Sequence, residues 1–330
     1  MAAIRKKGDY QWHVQIRKKG FAPLTKTFET KAAAELWAKT TESEMGRGVF
    51  VSRAEAEATT LRDALTRYAA EISPSKKGCA QEIVRINKWL TDPLANRALA
   101  SLKSTDFAKW RDARLKSVSP ATLHRDLSII SHLFSICNKE WGIAVTNPLQ
   151  NIRKPSIQNA RDRRLEGDEE QRLLDALSNS GKGALANHWM QPLAVLAIET
   201  AMRQGELLKI QWKDVDLKKS YVHLADTKNG TARDVPLSNR AKATLEALPR
   251  SIDGKVLGTT QSAVVQAWAR ACKRARITDL TFHDLRHEAT SRMAEKLALH
   301  ELMKVTGHKD TKMLARYYHP RPEDLARKLG

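Results

Sequence analysis

At 330 residues the chain is longer than a single hydrophobic core requires, which predicts two or three domains. Hydrophobic residues make up 42% of it, but no stretch approaches the roughly 18 to 20 unbroken apolar residues of a membrane span, so we expect a soluble protein. Lysine and arginine number 57 against 37 aspartate and glutamate, and this formal charge of +20 predicts a polyanionic partner.

The positive charge is spread along the chain instead of being gathered in a tail. Residues 1–58, 59–150 and 151–330 carry net charges of +4, +6 and +10. Charge on every segment suggests that each one faces the same polyanion, although composition alone also allows a merely basic protein. The three cysteines are isolated from one another, which predicts buried or free thiols in a reducing compartment such as the cytoplasm.

Residues 1–58 are predicted to form an N-terminal module and a short linker. Apolar and polar residues alternate over residues 4–29, which is typical of a small antiparallel sheet with one basic face. A helix is predicted for residues 31–45, with Ala33, Leu36 and Trp37 on its apolar face. Because a β-sheet can enter the major groove of DNA, Lys18 and Lys19 are DNA-binding candidates, and a folding appendage is the alternative.

Residues 59–150 are predicted to form a four-helix bundle. Thr60 and Asp63 make a capping-box pattern where the first helix begins. Apolar residues recur with helical spacing in four stripes, Leu61 to Ile72, Ile83 to Leu90, Phe107 to Leu115 and Leu123 to Cys137. The aromatic residues in these stripes are expected to belong to the core and not to stack on bases.

Residues 151–164 lack periodicity and are predicted to be an interdomain linker that lies along DNA. Its DNA-binding candidates are Arg153, Lys154, Arg161, Arg163 and Arg164.

Residues 165–330 are predicted to form a mainly helical domain with one small sheet. The strands are expected at Val215–Leu224 and Arg233–Leu237, joined through a turn whose Asn229-Gly230 pair is typical of hairpins. Helices are expected at 168–177, 189–200, 262–274, 284–296, 300–305 and 311–317. The fold class expected for the whole chain is therefore mainly α with small β-sheets.

Six residues of this last domain could bind and attack a phosphodiester. They are Arg203, Lys228, His283, Arg286, His308 and Tyr317. Arginine beside a core is costly to bury unless it binds an anion, and Glu206, three residues after Arg203, could orient that side chain. Each short motif is weak by itself, whereas the ordered set is hard to explain by chance.

The ordered set resembles the catalytic pattern of the tyrosine recombinases, also called the phage integrase family. Arg203 lies in an Arg-x-Gly-Glu context, Lys228 in a predicted hairpin turn, and His283 and Arg286 in a His-x-Leu-Arg-His box. His308 follows a glycine, and Tyr317 comes nine residues later within Arg-Tyr-x-His. The resemblance covers about residues 60–330. Within the family, the chain looks similar both to shufflon-type invertases and to phage or genomic-island integrases.

The resemblance implies an N-terminal arm-type module at 1–58, a SAM-like core-binding domain at 59–150 and a catalytic domain at 165–330. It also implies that Tyr317 attacks DNA phosphorus to leave a 3′-phosphotyrosine and a free 5′-hydroxyl. Arg203, Arg286 and His308 would bind the phosphate oxygens, with Glu206 in support. Lys228 would protonate the departing 5′-oxygen, and His283 would assist proton transfer at the nucleophile.

The expected partners are double-stranded DNA and three further copies of the chain, in a homo-tetramer on paired sites. No cofactor, no metal and no membrane are expected. Integration and excision of a mobile element is the favoured reaction, and shufflon-type inversion and a non-catalytic DNA-binding regulator are the alternatives. His283 and His287 are spaced like the histidines of an HExxH zinc helix, but Asp284 replaces the glutamate, and that reading leaves the other residues unexplained.

Two features depart from the family pattern. Ala298-Leu299-His300 stands where a glycine is common, and Tyr318 is a second tyrosine beside Tyr317. Neighbouring side chains on a helix point about 100° apart, so only one tyrosine can face the phosphate, and the spacing from His308 favours Tyr317.

Overall fold

A computed structural model describes residues 2–48, 50, 53–157, 161, 163–178, 187–225, 232–315 and 317. The chain divides into two compact units, Met1–Asn159 and Ala160–Gly330. This division falls inside the expected linker at 151–164, and the further boundary at residue 58 remains a prediction. The described residues form a mainly helical fold with small antiparallel sheets, which confirms the expected fold class. Among them, no helix is both long and apolar enough to cross a membrane.

The first unit begins with a three-stranded antiparallel sheet in the order β1-β2-β3. The strands are β1 (Ala2–Gly8), β2 (Gln11–Ile16) and β3 (Leu24–Phe28). In the central strand β2, Val14 pairs with Ile4 on one side and with Lys26 on the other. Val14 and Ile16 are fully buried while Gln15 between them is not, as the alternating pattern predicts.

Helix α1 (Lys31–Gly46) packs against this sheet with a face that matches the predicted one only at Trp37, which lies against Phe28 with ring centroids 5.4 Å apart. The sequence pattern put Ala33, Leu36 and Trp37 toward the core, but Leu36 is 69% exposed and Ala33 is exposed. Ala34 and Ala38 are buried instead. The prediction was wrong for Ala33 and Leu36 and right for Trp37, because the sheet accepts the small side chains of Ala34 and Ala38 on the neighbouring face of the helix.

The rest of the first unit is a helical bundle. Its helices are α2 (Ala54–Ala58), α3 (Leu61–Glu71), α4 (Cys79–Leu90), α5 (Ser104–Leu115) and α6 (Pro120–Lys139). The capping box forms as predicted, since the Thr60 hydroxyl accepts from the Asp63 amide while the Asp63 carboxylate accepts from the Thr60 amide at 3.0 Å. Buried Trp89 stacks on Trp110 with ring centroids 4.0 Å apart, which places aromatic side chains in the core as expected.

The second unit contains eight described helices and a small sheet. The helices are α7 (Glu169–Ser178), α8 (Met190–Thr200), α9 (Gln204–Leu207), α10 (Asn239–Glu246), α11 (Gln261–Ala275), α12 (Asp284–Ala294), α13 (Leu299–Thr306) and α14 (Lys312–Ala315). The antiparallel strands are β4 (Val215–Asp216), β5 (Tyr221–Leu224) and β6 (Arg233–Pro236), in the order β4-β5-β6.

Helix α8 lies at the centre of this unit and is apolar on nearly every side. Its residues from Leu193 to Ile198 are all buried, which is typical of a helix enclosed by protein. Helices α7, α10, α11 and α12 pack against it. The end of α8 therefore has a fixed position, and the candidate site begins there.

Three elements of the second unit differ from the sequence prediction, and one of them is the short helix α9, which was not predicted. A single strand was expected over Val215–Leu224, but Ser220 adopts φ 57 and the chain reverses between β4 and β5. Helix α10 was not predicted, because its apolar residues are few; Ser238 caps it by accepting from the Ala241 amide at 3.1 Å. The expected hairpin turn at residues 227–230 lies outside the described residues.

Candidate active site

Arg286, near the start of α12, is the most deeply buried of the predicted site residues that the structure describes, with 5% of its surface exposed. Its guanidinium donates to the backbone oxygen of Ala201 and, at 2.6 Å, to that of Thr306. Burial, followed by the positive charges of Arg203 and Arg233, lowers the pKa of Arg286 to about 9. The side chain thus remains charged at neutral pH, although the charged form is disfavoured.

In the described part of the chain, no carboxylate forms an ion pair with Arg286. Its hydrogen-bond acceptors, the carbonyl oxygens of Ala201 and Thr306, are neutral. A buried cation held only by neutral acceptors gains stability from any anion that reaches it. The setting of Arg286 is therefore that of an anion-binding residue.

The acceptors of Arg286 lie at two helix ends. Ala201 follows α8 in a left-handed conformation with φ 53, and Thr306 is the last residue of α13, followed by Gly307 with φ 72. Carbonyl groups in the last turn of a helix lack helical donors, and the helix dipole makes this end negative, so both effects favour a guanidinium here.

Arg203 is the N-cap residue of α9, and it shares the buried carboxylate of Glu206 with Arg233. The sequence reasoning did not single out Arg233. The side chain of Arg203 donates to Glu206 at 2.9 Å, and its backbone amide donates to the same carboxylate at 2.9 Å. Arg233, on β6, donates to both Glu206 oxygens at 3.2 and 2.7 Å and to the Val305 backbone oxygen at 3.0 Å. Through Arg233, Glu206 connects α9 to β6 and to the end of α13.

Glu206 remains a carboxylate at every physiological pH. Burial by itself would raise the pKa of Glu206, but hydrogen bonds from Arg233 and Arg203 outweigh it and lower this pKa to about 2. One negative charge lies among Arg203, Arg233 and Arg286, so the cluster keeps a net positive charge. That excess is what an anionic phosphate would neutralise.

His308 is held from its Nδ1 side by a buried threonine. The Thr306 hydroxyl lies 2.7 Å from His308 Nδ1 and 2.6 Å from the Leu302 backbone oxygen, to which it donates. Thr306 is fully buried, and its own backbone oxygen accepts from Arg286. The hydroxyl and the carbonyl of one residue therefore fix the His308 ring and the Arg286 guanidinium relative to each other.

Tyr317 is half-buried, and its hydroxyl forms a hydrogen bond with Nδ1 of His287. The two rings are nearly parallel, with centroids 5.8 Å apart and an interplanar angle of 26°. His283 packs edge-on against His287, with centroids 5.2 Å apart. The electrostatic influence of Tyr317 reaches Arg286, so the phenol lies near the buried cation.

A basic cavity of about 620 Å³ opens beside His308. The charged and titratable side chains of its wall are Arg233, Asp234, His300, Lys304, His308 and Lys309. Cations outnumber anions in this wall, which suits a nucleic-acid backbone. Among the described residues no cluster of three or more histidine, cysteine, aspartate or glutamate side chains could hold a metal ion.

The structure thus brings Arg203, Arg286, His308 and Tyr317 into one region of the second unit, with Glu206 among the cations and His283 beside the ring that contacts Tyr317. Lys228 lies outside the described residues.

The linker arginines are engaged by carboxylates of the second unit. Arg161 binds Asp284 through two hydrogen bonds of 3.1 and 2.9 Å, and Arg164 binds Glu288 at 3.0 Å. Arg163 binds Glu169 at 2.6 Å. Much of the charge counted in the sequence for this segment is therefore neutralised within the protein.

The four remaining DNA-binding candidates lie in the first unit. Arg153, Lys154 and Lys19 are exposed, and Lys18 is partly exposed with its ammonium group 3.5 Å from the backbone oxygen of Glu42. Their side chains are accessible to a ligand, so their expected role remains a prediction.

Sequence reasoning missed three contributors to the site: Arg233, Thr306 and His287. The signal for His287 was present, because it lies four residues after His283 on the same helical face, but that spacing was weighed only as a zinc motif. Arg233 carried no local signal, since its partner Glu206 is 27 residues away. Thr306 lies two residues before His308, but its contact with Arg286, 20 residues away, could not be read from the sequence.

Comparison with known proteins agrees with this geometry. Residues 163–324 match the model of the phage integrase family. The chain is 40% identical over 280 residues to a shufflon-specific DNA recombinase of Escherichia coli, covering 82% of this chain and 71% of that protein. It is also 32% identical over 333 residues to a putative integrase/recombinase of Haemophilus influenzae, covering 97% of this chain and 87% of the relative.

Solved structures show a similar fold. A lambda integrase tetramer bound to a Holliday junction has a TM-score of 0.67 at 19% identity, covering 96% of this chain and 94% of that one. The Tn1549 transposon integrase in complex with a circular intermediate DNA has a TM-score of 0.64 at 18% identity, covering 82% of this chain and 99% of that one. These structures show the fold, and the family model together with the two relatives shows that the chain belongs to the phage integrase family and is a tyrosine-type site-specific recombinase.

Proposed function

We propose that the chain cleaves and rejoins DNA at specific sites through Tyr317. The observation that carries this proposal is the contact of the Tyr317 phenol with His287, the residue that follows the buried Arg286, whose guanidinium forms no ion pair in the described part of the chain. A phosphodiester resists attack because its oxygens are anionic, and a fixed cationic cluster offsets the charge that grows in the transition state.

The proposed roles follow from charge and position. Arg286 and Arg203 bind the phosphate oxygens. His308 donates its Nδ1–H to Thr306, whose own proton goes to Leu302, so it donates a further hydrogen bond to the phosphate from Nε2 in its doubly protonated form. Glu206 holds Arg203 in place and, through Arg233, ties it to the end of α13.

In the cleavage step the Tyr317 oxygen bonds to phosphorus while the bond to the 5′-oxygen breaks. We propose that Lys228 protonates the departing oxygen and that His283 assists proton transfer at the nucleophile. The product is a 3′-phosphotyrosine and a free 5′-hydroxyl. In the rejoining step this hydroxyl attacks the phosphorus of the phosphotyrosine, and the bond to the Tyr317 oxygen breaks. Because the phosphate ester is conserved in this exchange, strand rejoining needs no external energy source.

The test of this chemistry is a nicked duplex that carries the crossover site. Cleavage releases a short 5′-hydroxyl fragment, so a covalent complex accumulates and survives denaturing electrophoresis. Tyr317→Phe should abolish the complex, and Tyr318→Phe should retain it as the matched control. A persistent complex with Tyr317→Phe would refute the proposal.

Integration and excision of a mobile element is the reaction that we propose for the cell. The N-terminal sheet and a likeness to lambda integrase that covers 96% of the chain support it. Inversion is the second candidate, supported by 40% identity to a recombinase named as shufflon-specific. DNA flanking the gene distinguishes the two, since attachment-site repeats indicate integration and inverted repeats around switchable segments indicate inversion.

We also propose a homo-tetramer on paired sites, because a lambda integrase tetramer bound to a Holliday junction shares the fold. Both units would contact DNA, and binding should weaken steeply with salt because lysine and arginine contacts release counterions. The described cysteines are free thiols, which fits action in the bacterial cytosol or nucleoid. A salt-independent affinity would contradict the proposed DNA contacts.

A further inference from the structure

The phenolic oxygen of Tyr317 has a specific partner, Nδ1 of His287. The backbone amide of Tyr317 also donates to the Leu314 oxygen at 2.8 Å, so the residue is tied to α14 as well as to α12. The near-parallel rings, with centroids 5.8 Å apart, keep the hydroxyl against the edge of the imidazole. The nucleophile's oxygen is therefore in contact with a base, and neither the catalytic pattern nor the comparisons assign that base a role.

His287 belongs to a rigid part of the second unit. It lies between Arg286, whose guanidinium is held at two helix ends, and the buried Glu288. Glu288 accepts from Arg164 at 3.0 Å and from Arg292 at 2.6 Å, and these bonds fix the turn of α12 on which His287 lies. An imidazole on such a framework has a defined position relative to both the buried cation and the phenol.

His283 and His287 differ in their surroundings. His283 is exposed and precedes α12, whereas His287 is half-buried inside the helix. The His283 ring lies perpendicular to that of His287, with centroids 5.2 Å apart. In the described contacts His287 thus lies against the phenolic oxygen, and His283 lies against His287.

We infer that His287 is a further catalytic residue, the base that accepts the Tyr317 proton directly, while His283 acts on this transfer only through its contact with the His287 ring. As the phenolic oxygen bonds to phosphorus, its proton moves to Nδ1 of His287, and the bond to the 5′-oxygen breaks. The 5′-oxygen receives its proton from a different donor, Lys228 in the proposed mechanism. On rejoining, His287 returns its proton to the departing phenolate. This inference rests on the proposed function, because it assigns a group to a step of that reaction.

Single-turnover cleavage of the nicked duplex tests the inference with two variants at one position. His287→Ala removes the base, and general-base catalysis of this kind contributes on the order of 10² to 10⁴ in rate. His287→Asn places an amide oxygen near the position of Nδ1, so it can hold the phenol but cannot take its proton. We expect both variants to cleave at least about 100-fold more slowly than the native chain. Native cleavage by His287→Asn would reduce His287 to a positioning residue and overturn the inference.

Replacing one DNA oxygen by sulfur distinguishes a defect at the attacking Tyr317 oxygen from a defect at the departing 5′-oxygen. When the 5′-bridging oxygen is replaced by sulfur, the leaving group departs without a proton, so Lys228→Ala should regain most of its activity. His287→Ala should stay slow on the sulfur substrate, because its defect concerns the attacking oxygen. Rescue of His287→Ala by sulfur would place His287 at the leaving group and refute the assignment.

Controls separate this inference from the proposed function and from misfolding. His188→Ala, which changes an exposed histidine of the same unit, should cleave normally. Affinity for the nicked duplex and the unfolding midpoint should be unchanged in His287→Asn. Tyr317→Phe must still abolish the covalent complex in the same assay. If it does and the His287 variants cleave normally, only the present inference fails; if it does not, the proposed function fails.

Discussion

The carboxylate of Glu206 should contribute strongly to the stability of the second unit. It is 7% exposed and accepts hydrogen bonds from Arg203 and Arg233 at 2.7 to 3.2 Å. The substitution Glu206→Gln keeps the shape of the side chain but removes its charge. Arg233, whose side chain is 8% exposed, would then be a buried cation without its carboxylate.

The magnitude follows from the pKa of Glu206, which is lowered from 4.5 to about 2. A pKa about 2.5 below its ordinary value corresponds to about 3 kcal/mol of stabilisation. Because folding lowers this pKa, the contribution is complete above about pH 4.5 and disappears as the pH falls toward 2. Glu206→Gln should therefore lower the free energy of unfolding by about 3 kcal/mol at pH 7 and by progressively less below pH 4.5.

Urea denaturation of the full chain, followed by circular dichroism from pH 7 down to pH 3, measures this difference. The control is Glu71→Gln, which removes an exposed carboxylate paired with Arg67 and should change stability by less than about 0.5 kcal/mol. The reasoning is refuted if Glu206→Gln lies within about 1 kcal/mol of the native chain at pH 7. A difference that stays constant down to pH 3 would also contradict it.

Two further predictions concern residues that hold the site together. Gly307→Ala should destabilise the chain by about 1 to 3 kcal/mol in urea denaturation, because Gly307 has φ 72 and a Cβ there would lie 3.1 Å from the Arg233 guanidinium. An unchanged free energy of unfolding in Gly307→Ala would contradict this close approach to the Arg233 guanidinium. Asp284→Asn should cost about 2 kcal/mol by the same measurement, because it removes the charge that holds Arg161. Equal stability of Asp284→Asn and the native chain would show that the linker does not depend on this ion pair.

The helices of the bundle and the ordered catalytic pattern could be read from the sequence because both depend on near neighbours. Thr60 and Asp63 specify their capping box within one turn, and the stripe from Leu123 to Cys137 specifies a buried helix face by its period. Where two helix faces compete, as on α1, local pattern was insufficient. The buried alanines there are selected by the shape of the sheet they pack on.

The residue types that can hold and attack a phosphate are readable from short motifs, which contain Arg203, Arg286, His308 and Tyr317. What each of these side chains contacts depends on the tertiary structure. The oxygen that Arg286 binds at Ala201 is 85 residues away, and the imidazole against Tyr317 is 30 residues away. Contacts between residues so far apart in the sequence arise from the packing of α8, α12 and α13, and the spacing of neighbouring residues does not encode that packing.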